Sequence, residues 1–316
     1  DALAAAHHGI GFLGVATGRH GADELRAAIA QPWRGPDGNR ARIKEKDSVL
    51  CVGIDPVIDR FPASIREADV SISEKLVSFS KLVIDATLEE AVCYKPQLAY
   101  FEMYGLEGMK AFKETLAYLR EKNAYVICDA KRGDIGSTAT AYGEAFLRKG
   151  ADFEGDALTI NPYLGDDSSN AFYEICEEEE KSVFMLVKTS NPTSDQFQNK
   201  TFEGKTLYEL VAETITSKDE RGDFIGAVVG ATHPEELKKM REEMPNTMFL
   251  IPGYGAQGGK AEDIKVGFGD DGLKAVVNSS RGIIYAYEKS DLEPKEAILV
   301  AAKKAKEELN GVRHAI

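Results

Sequence analysis

An apolar run at residues 124–128 ends in Asp129, Lys131, Arg132 and Asp134, so charges of alternating sign stand at the tip of a buried strand. Taking an ion out of water costs several kcal/mol unless it is paired or put to use. Residues two apart on a strand project to the same side, which places Asp129 and Lys131 together. Asp134 lies beyond the strand, in the loop leading to the next helix, and Lys95 tips the preceding apolar run. The expected constellation is Lys, Asp, Lys, Asp. Opposite unit charges ~4 Å apart attract by ~4 kcal/mol at an effective dielectric near 20, which favours charged lysines and ionised aspartates. An array of this kind can hold an ammonium where negative charge develops and then donate its proton. The alternative is a structural salt-bridge network at a rim, which perturbs charges equally well.

A second constellation has the chemistry of phosphate binding. "IPGYGAQGG" at 251–259 is followed by "VVNSSRG" at 276–282. Gly253, Gly255, Gly258 and Gly259 let backbone amides approach a ligand closely. Gln257 offers an amide, and Arg281 a planar fork suited to phosphate.

The elements that must position these residues are regular. Apolar, β-branched runs occur at 49–54, 91–94, 124–128, 157–160, 182–187, 224–229, 248–251 and 275–277. Stretches with apolar residues three and four apart separate them, such as "EKLVSFSKLVIDATLEEA" and "EGMKAFKETLAYLREKN". Continuous apolar strands alternating with amphipathic helices indicate parallel βα units. The expectation is an α/β protein with a single-domain (β/α)8 TIM barrel, a fold of typically ~250 residues. A doubly wound sheet is the rival, but the first strand ends in "VGIDP" without a glycine-rich dinucleotide fingerprint. Barrel active sites lie at the C-terminal strand ends. Those ends read Asp55, Lys95, Asp129 with Lys131, Asn161, residues 188–190, Gly230, residues 253–257 and residues 279–281.

Composition narrows the partners. The net charge of −13 over 316 residues argues against nucleic-acid backbones and anionic membrane surfaces. No apolar stretch approaches the ~20 residues of a membrane helix. Cys51, Cys93, Cys128 and Cys176 show no zinc-type spacing, and buried free thiols in a reducing cytoplasm are expected. Residues 1–42 differ from the rest: apart from histidine every basic residue there is Arg, and the first lysine is Lys44. They read as an appended or fused segment of unknown role, with the barrel spanning 43–316; the other reading is a natural amphipathic extension.

"DAKRGDIGSTA" resembles the signature of the orotidine 5′-phosphate decarboxylase family, in its longer bacterial and archaeal branch. "CVGIDP", "YKPQLAYFE", "LTINPYLG", "KTSNP", "VVGAT" and "PGYGAQGG" resemble that branch's other blocks in the same order. The resemblance implies decarboxylation of orotidine 5′-phosphate to UMP, with no cofactor and no metal. It implies that Asp55 and Lys95 hold ribose hydroxyls, that Asp129 sits against the substrate carboxylate, and that Lys131 delivers the proton to C6. By the same likeness Asp134, Ile135 and Thr138 reach into a partner subunit's site in a homodimer, and Ser190 contacts the pyrimidine. The resemblance also implies that Gln257, Arg281 and the Gly282 amide bind the 5′-phosphate. The rivals are a Mg-dependent phosphosugar decarboxylase or synthase of related barrel type, and a barrel kept as a fusion or assembly scaffold. The loop "SNPTSDQFQNKTFEGK" reads equally as a lid or as a passive surface insertion.

Overall fold

The computed structural model describes residues 36–316 apart from 233 and 256–258. Eight parallel strands close into a barrel in the order β1-β10-β9-β8-β5-β4-β3-β2. They are β1 (Leu50–Ile54), β2 (Cys93–Pro96), β3 (Tyr125–Arg132), β4 (Ala157–Ile160), β5 (Ser182–Lys188), β8 (Ile225–Val229), β9 (Phe249–Ile251) and β10 (Ala275–Ser279). Strands β6 (Thr201–Phe202) and β7 (Lys205–Thr206) form a separate antiparallel hairpin in the loop after β5. The expected (β/α)8 barrel is therefore present as one domain.

The longer helices are α1 (Pro36–Lys46), α2 (Ile72–Thr87), α3 (Gly105–Glu121), α4 (Gly136–Phe146), α5 (Asp166–Glu179), α6 (Leu207–Lys218), α7 (Pro234–Glu243) and α8 (Pro294–Arg313). Their boundaries follow local chemistry. Ser71 caps α2 by accepting from the Glu74 amide while the Glu74 carboxylate accepts from the Ser71 amide, which satisfies two otherwise orphaned donors. Leu76, Phe79, Val83 and Ile84 then share one face at helical spacing, and all are buried.

Two strands depart from regular pairing where the site begins. Register shifts between Cys128 and Arg132 on β3 and between Leu186 and Lys188 on β5. Each irregularity re-aims the side chains beyond it.

Helix α1 runs across the expected boundary at 42/43. Arg42 is buried and donates to the carbonyls of Val92 and Asn123 at 3.2 and 2.8 Å, at the N-terminal end of the barrel. Ile43 is part of the core. Residues 1–35 of the expected appended segment lie outside the described residues. The four cysteines are free and buried. Among the described residues no helix is long and apolar enough to cross a membrane.

Candidate active site

Asp129 is the centre of the charged array. It is 5% exposed, near the C-terminal end of β3. Its Oδ2 accepts from Lys95 Nζ at 2.7 Å and from Gln97 Nε2 at 2.8 Å. Its Oδ1 accepts from Lys131 Nζ at 2.6 Å and from Thr159 Oγ1 at 3.0 Å. A carboxylate offers about four lone-pair sites, so these donors saturate it. Asp129 is thereby a fixed negative charge with no acceptor position left over.

Burial works to raise the Asp129 carboxyl, but the charges and hydrogen bonds of Lys95 and Lys131 overturn this and hold it well below the usual carboxylate range. Lys95 shows the mirror effect. Burial alone would lower its ammonium, yet the charges of Asp129 and Asp55 and the bond to Asp129 push it above the usual lysine value. Both groups remain ionised at neutral pH.

Lys131 reaches Asp129 by an unusual backbone. Its φ is 48°, in the left-handed region, within the irregular end of β3. A non-glycine residue there costs about 1–2 kcal/mol. Thr159 on β4 holds this conformation: its Oγ1 accepts from the Ala130 and Lys131 amides at 3.0 and 2.9 Å and donates to Asp129. The two side chains meet as expected, through a hydroxyl-braced bulge rather than a regular strand. The Lys131 side chain stays 47% exposed, against 8% for Asp129, so the ammonium is pinned at one end of its reach and open to a ligand.

A cavity of about 500 Å³ opens beside this array. Asp55, Lys95, Asp129, Lys131, Ser190 and Arg281 all line it, from strand ends far apart in sequence. Leu186, Val228, Leu250 and Pro252 form an apolar wall from β5, β8 and the end of β9. A flat ring fits such a wall, while charges gather on the opposite side. Asp55 Oδ1 is buried with no hydrogen-bond partner among the described residues. A buried unpaired acceptor at a cavity suits a ligand hydroxyl. The Asp55 backbone is fixed by Tyr285, whose hydroxyl donates to the Asp55 carbonyl at 2.7 Å and accepts from the Val57 amide at 2.8 Å.

The glycine-rich end is built differently. Gly253 and Gly255 have φ of 99° and 73°, conformations that side chains resist. The Gly255 amide donates to the Gly259 carbonyl, and the Gly259 amide to the Gly253 carbonyl, so the loop closes on itself. Arg281 opens a short helix after β10 and is exposed.

The remaining expected positions lie elsewhere. Asp134, Ile135 and Thr138 follow β3 but do not line this chain's cavity, and Ile135 is 60% exposed. Gly282 is exposed beside Arg281 and is not on the wall. Gln257 lies outside the described residues. Of the other strand ends, Asn161 accepts from the Tyr163 amide to cap a turn. Lys188 is buried away from the cavity. At Gly230 a β-carbon would come within 3.1 Å of the Ser190 backbone, so glycine there makes room for Ser190.

Gln97, Thr159 and Tyr285 were not foreseen. Gln97 stood two residues beyond Lys95, and Thr159 was the one polar residue in its apolar run. Both signals were visible, but their targets depend on strand register. Among the described residues no group of three or more His, Cys, Asp or Glu could hold a metal ion.

Residues 48–293 match the Orotidine 5′-phosphate decarboxylase / HUMPS family. An orotidine 5′-phosphate decarboxylase of Clostridium perfringens (strain SM101 / Type A) is 42% identical over 279 residues, covering 86% of this chain and 96% of its own. One from Rhodopirellula baltica is 39% identical over 296 residues, covering 86% of this chain and 97% of its own. The solved structure of Leishmania donovani OMP decarboxylase superposes with a TM-score of 0.72 at 33% identity, covering 87% of this chain and 98% of that one.

Proposed function

This chain belongs to the orotidine 5′-phosphate decarboxylase family and decarboxylates orotidine 5′-phosphate to UMP and CO2, and we propose that it does so by electrostatics and proton donation from its own side chains. The phosphosugar and scaffold readings are not favoured by these relatives. The observation that carries the mechanism is the saturated Asp129 holding Lys131 at the mouth of the cavity.

Breaking the bond from C6 to the carboxyl carbon releases CO2 and leaves the electron pair on C6. That pair occupies an sp2 orbital in the ring plane, where ring delocalisation cannot reach it. Stabilisation must come from positive charge fixed nearby. Lys131 supplies it, held by Asp129 so that no reorganisation is needed as charge develops. The ammonium then transfers a proton to C6, giving UMP, and regains one from water. Asp129 faces the substrate carboxylate as a charge that cannot be neutralised by protonation at working pH, and its repulsion falls as CO2 departs. Lys95 keeps Asp129 ionised and, with Asp55, meets the ribose hydroxyls. Ser190 contacts the pyrimidine against the wall of Leu186, Val228 and Leu250. Gln257, Arg281 and the Gly282 amide take the 5′-phosphate, whose binding energy is available to hold the unfavourable charge arrangement.

We further read the active unit as a homodimer. After β3, Ile135 and Thr138 are exposed and Asp134 is half-buried. Met103 and Leu106 between β2 and β3, Leu106 at the start of α3, and Tyr163 and Leu164 after β4 are exposed apolar residues following the two neighbouring strands. Covering such a patch with a second copy would bring Asp134 to the partner's cavity. The four buried free thiols suit a cytoplasmic setting. Residues 1–42 are read as an appended segment, whose last residue, Arg42, donates to barrel carbonyls.

The test is the ultraviolet change of orotidine 5′-phosphate with purified protein, with and without EDTA. Conversion at equal rates in both supports the mechanism. Conversion abolished by EDTA would move the chemistry to a metal and overturn it.

A further inference from the structure

Lys188 is the last residue of β5, and its side chain is 1% exposed although it carries a charge the chemistry does not use. Strand alternation would point it inward with Leu186, which lines the cavity. The register shift between Leu186 and Lys188 instead turns it to the outside of the barrel. There its Nζ donates to Asp195 Oδ1 at 2.8 Å, to Asn199 Oδ1 at 2.8 Å and to Ser194 Oγ at 3.2 Å. Glu236 on α7 lies 3.5 Å away and also accepts from Asn199. One ammonium thus gathers three residues of the following loop and ties them to helix α7.

Residues 189–193 lie between Lys188 and its first partner Ser194, and Thr189, Ser190 and Asn191 among them line the cavity. The chain leaves β5 at Lys188 and returns to the same side chain at Ser194, so 189–193 form a short arch with both feet fixed. The arch is braced again where Gln198 accepts from the Thr189 amide at 3.0 Å and donates to its hydroxyl at 2.8 Å. From below, Gly230 packs directly on the Ser190 backbone.

We infer that Lys188 is a positioning residue for the base-binding side of the site: its buried ammonium sets the place of Ser190 against the pyrimidine without touching the substrate. This rests on the reading that Ser190 meets the base. It also divides the loop after β5, whose first half is an anchored part of the binding wall rather than a passive insertion.

The test compares inhibition constants of UMP and of ribose 5-phosphate, which lacks the base, for wild type, Lys188→Met and Ser190→Ala. Lys188→Met is expected to weaken UMP about tenfold, to leave ribose 5-phosphate within about twofold, and to raise KM more than it lowers kcat, matching Ser190→Ala in pattern. If Ser190→Ala weakens UMP while Lys188→Met does not, the inference is overturned and the base contact stands. If Ser190→Ala leaves UMP unchanged, the base contact itself is wrong and the inference falls with it. Equal weakening of both ligands by Lys188→Met would mean general disturbance of the site, and would also overturn it. Should circular dichroism show Lys188→Met unfolded, Asp195→Ala decides, because it removes the loop's charged contact to Lys188 while Asn199, Ser194 and Glu236 keep the ammonium partnered. A threefold or greater loss of UMP affinity supports the anchor, and none overturns it.

Discussion

Two clusters of the same side-chain types sit at opposite ends of this barrel. At the C-terminal end Lys95 and Lys131 flank Asp129. At the N-terminal end Lys181, just before β5, donates to Glu154 Oε1 and the Gly155 carbonyl, each at 2.8 Å, with Asp156 at 3.7 Å. Both contain a nearly inaccessible ammonium. In each, burial pushes a carboxyl upward and a lysine's bonds bring it below its ordinary value. Ion pairing and shifted acidity therefore do not separate a catalytic array from a structural one. The open side does. Lys131 is half exposed over a cavity with an unpaired Asp55 oxygen, whereas Lys181 is 1% exposed and spends its donors on the protein. A charge does chemistry where the fold leaves one of its faces unsatisfied.

The sharpest way to break this contrast is Lys131→Ala. Asp129 keeps Lys95, Gln97 and Thr159, so the fold should survive with a stability change under about 1 kcal/mol. The kcat/KM for orotidine 5′-phosphate should fall about a thousandfold or more, since both the electrostatic and the proton-donating contributions vanish. A variant with near-wild-type turnover would remove Lys131 from the mechanism and return the array to a structural role.

Lys181→Met is the converse experiment. It strands Glu154 in a buried setting, and breaking one side of a buried pair costs about 3–5 kcal/mol. Urea unfolding should show that loss, while kcat/KM of the folded fraction at 25 °C stays within about twofold. Loss of turnover without loss of stability would erase the distinction between the two ends.

The barrel was legible because strands buried on both faces read as continuous apolar runs. The expected run at 157–160 and β4 coincide, and the run at 182–187 differs from β5 by one residue. Strand β2 runs through Lys95 to Pro96 and β10 through Asn278 to Ser279, beyond where the apolar runs stop. That Asp129 and Lys131 meet was legible from their two-residue spacing, although a bulge rather than regular strand alternation brings them together. Its brace was not, because the partner hydroxyl of Thr159 sits on another strand and register is a tertiary property. Lys188 shows the limit of reading strand tips. It is a lysine at a barrel strand end like Lys95, but a one-residue irregularity sends it behind the wall instead of into the cavity.

A smaller effect is expected at the phosphate end, where Arg281 is exposed and makes no part of the array. Arg281→Ala should raise KM about 10- to 100-fold, the worth of a charge-assisted hydrogen bond to phosphate. The same variant should leave inhibition by uridine, which lacks the phosphate, unchanged. Equal losses for both ligands would place Arg281 outside the phosphate contact.

The smallest effect, and the finest comparison, is in pH. Asp129 has a folded value depressed below its unfolded one of ~3.9, so its stabilisation is fully present above that value and is lost as pH falls through the folded value. Lys95, raised above ~10.4, contributes fully below that value and loses its contribution only as pH rises through the folded value. Across neutral pH neither group titrates, so the array should neither gain nor lose stability there. The difference in unfolding free energy between wild type and Asp129→Asn should be flat from about pH 7 to 5 and shrink below about pH 4, where the unfolded chain takes up a proton the folded carboxylate refuses. A difference already shrinking at pH 6 would mean that Asp129 is protonated too easily to stay a fixed charge beside the departing carboxylate, and the electrostatic account of this end of the barrel would fail with it.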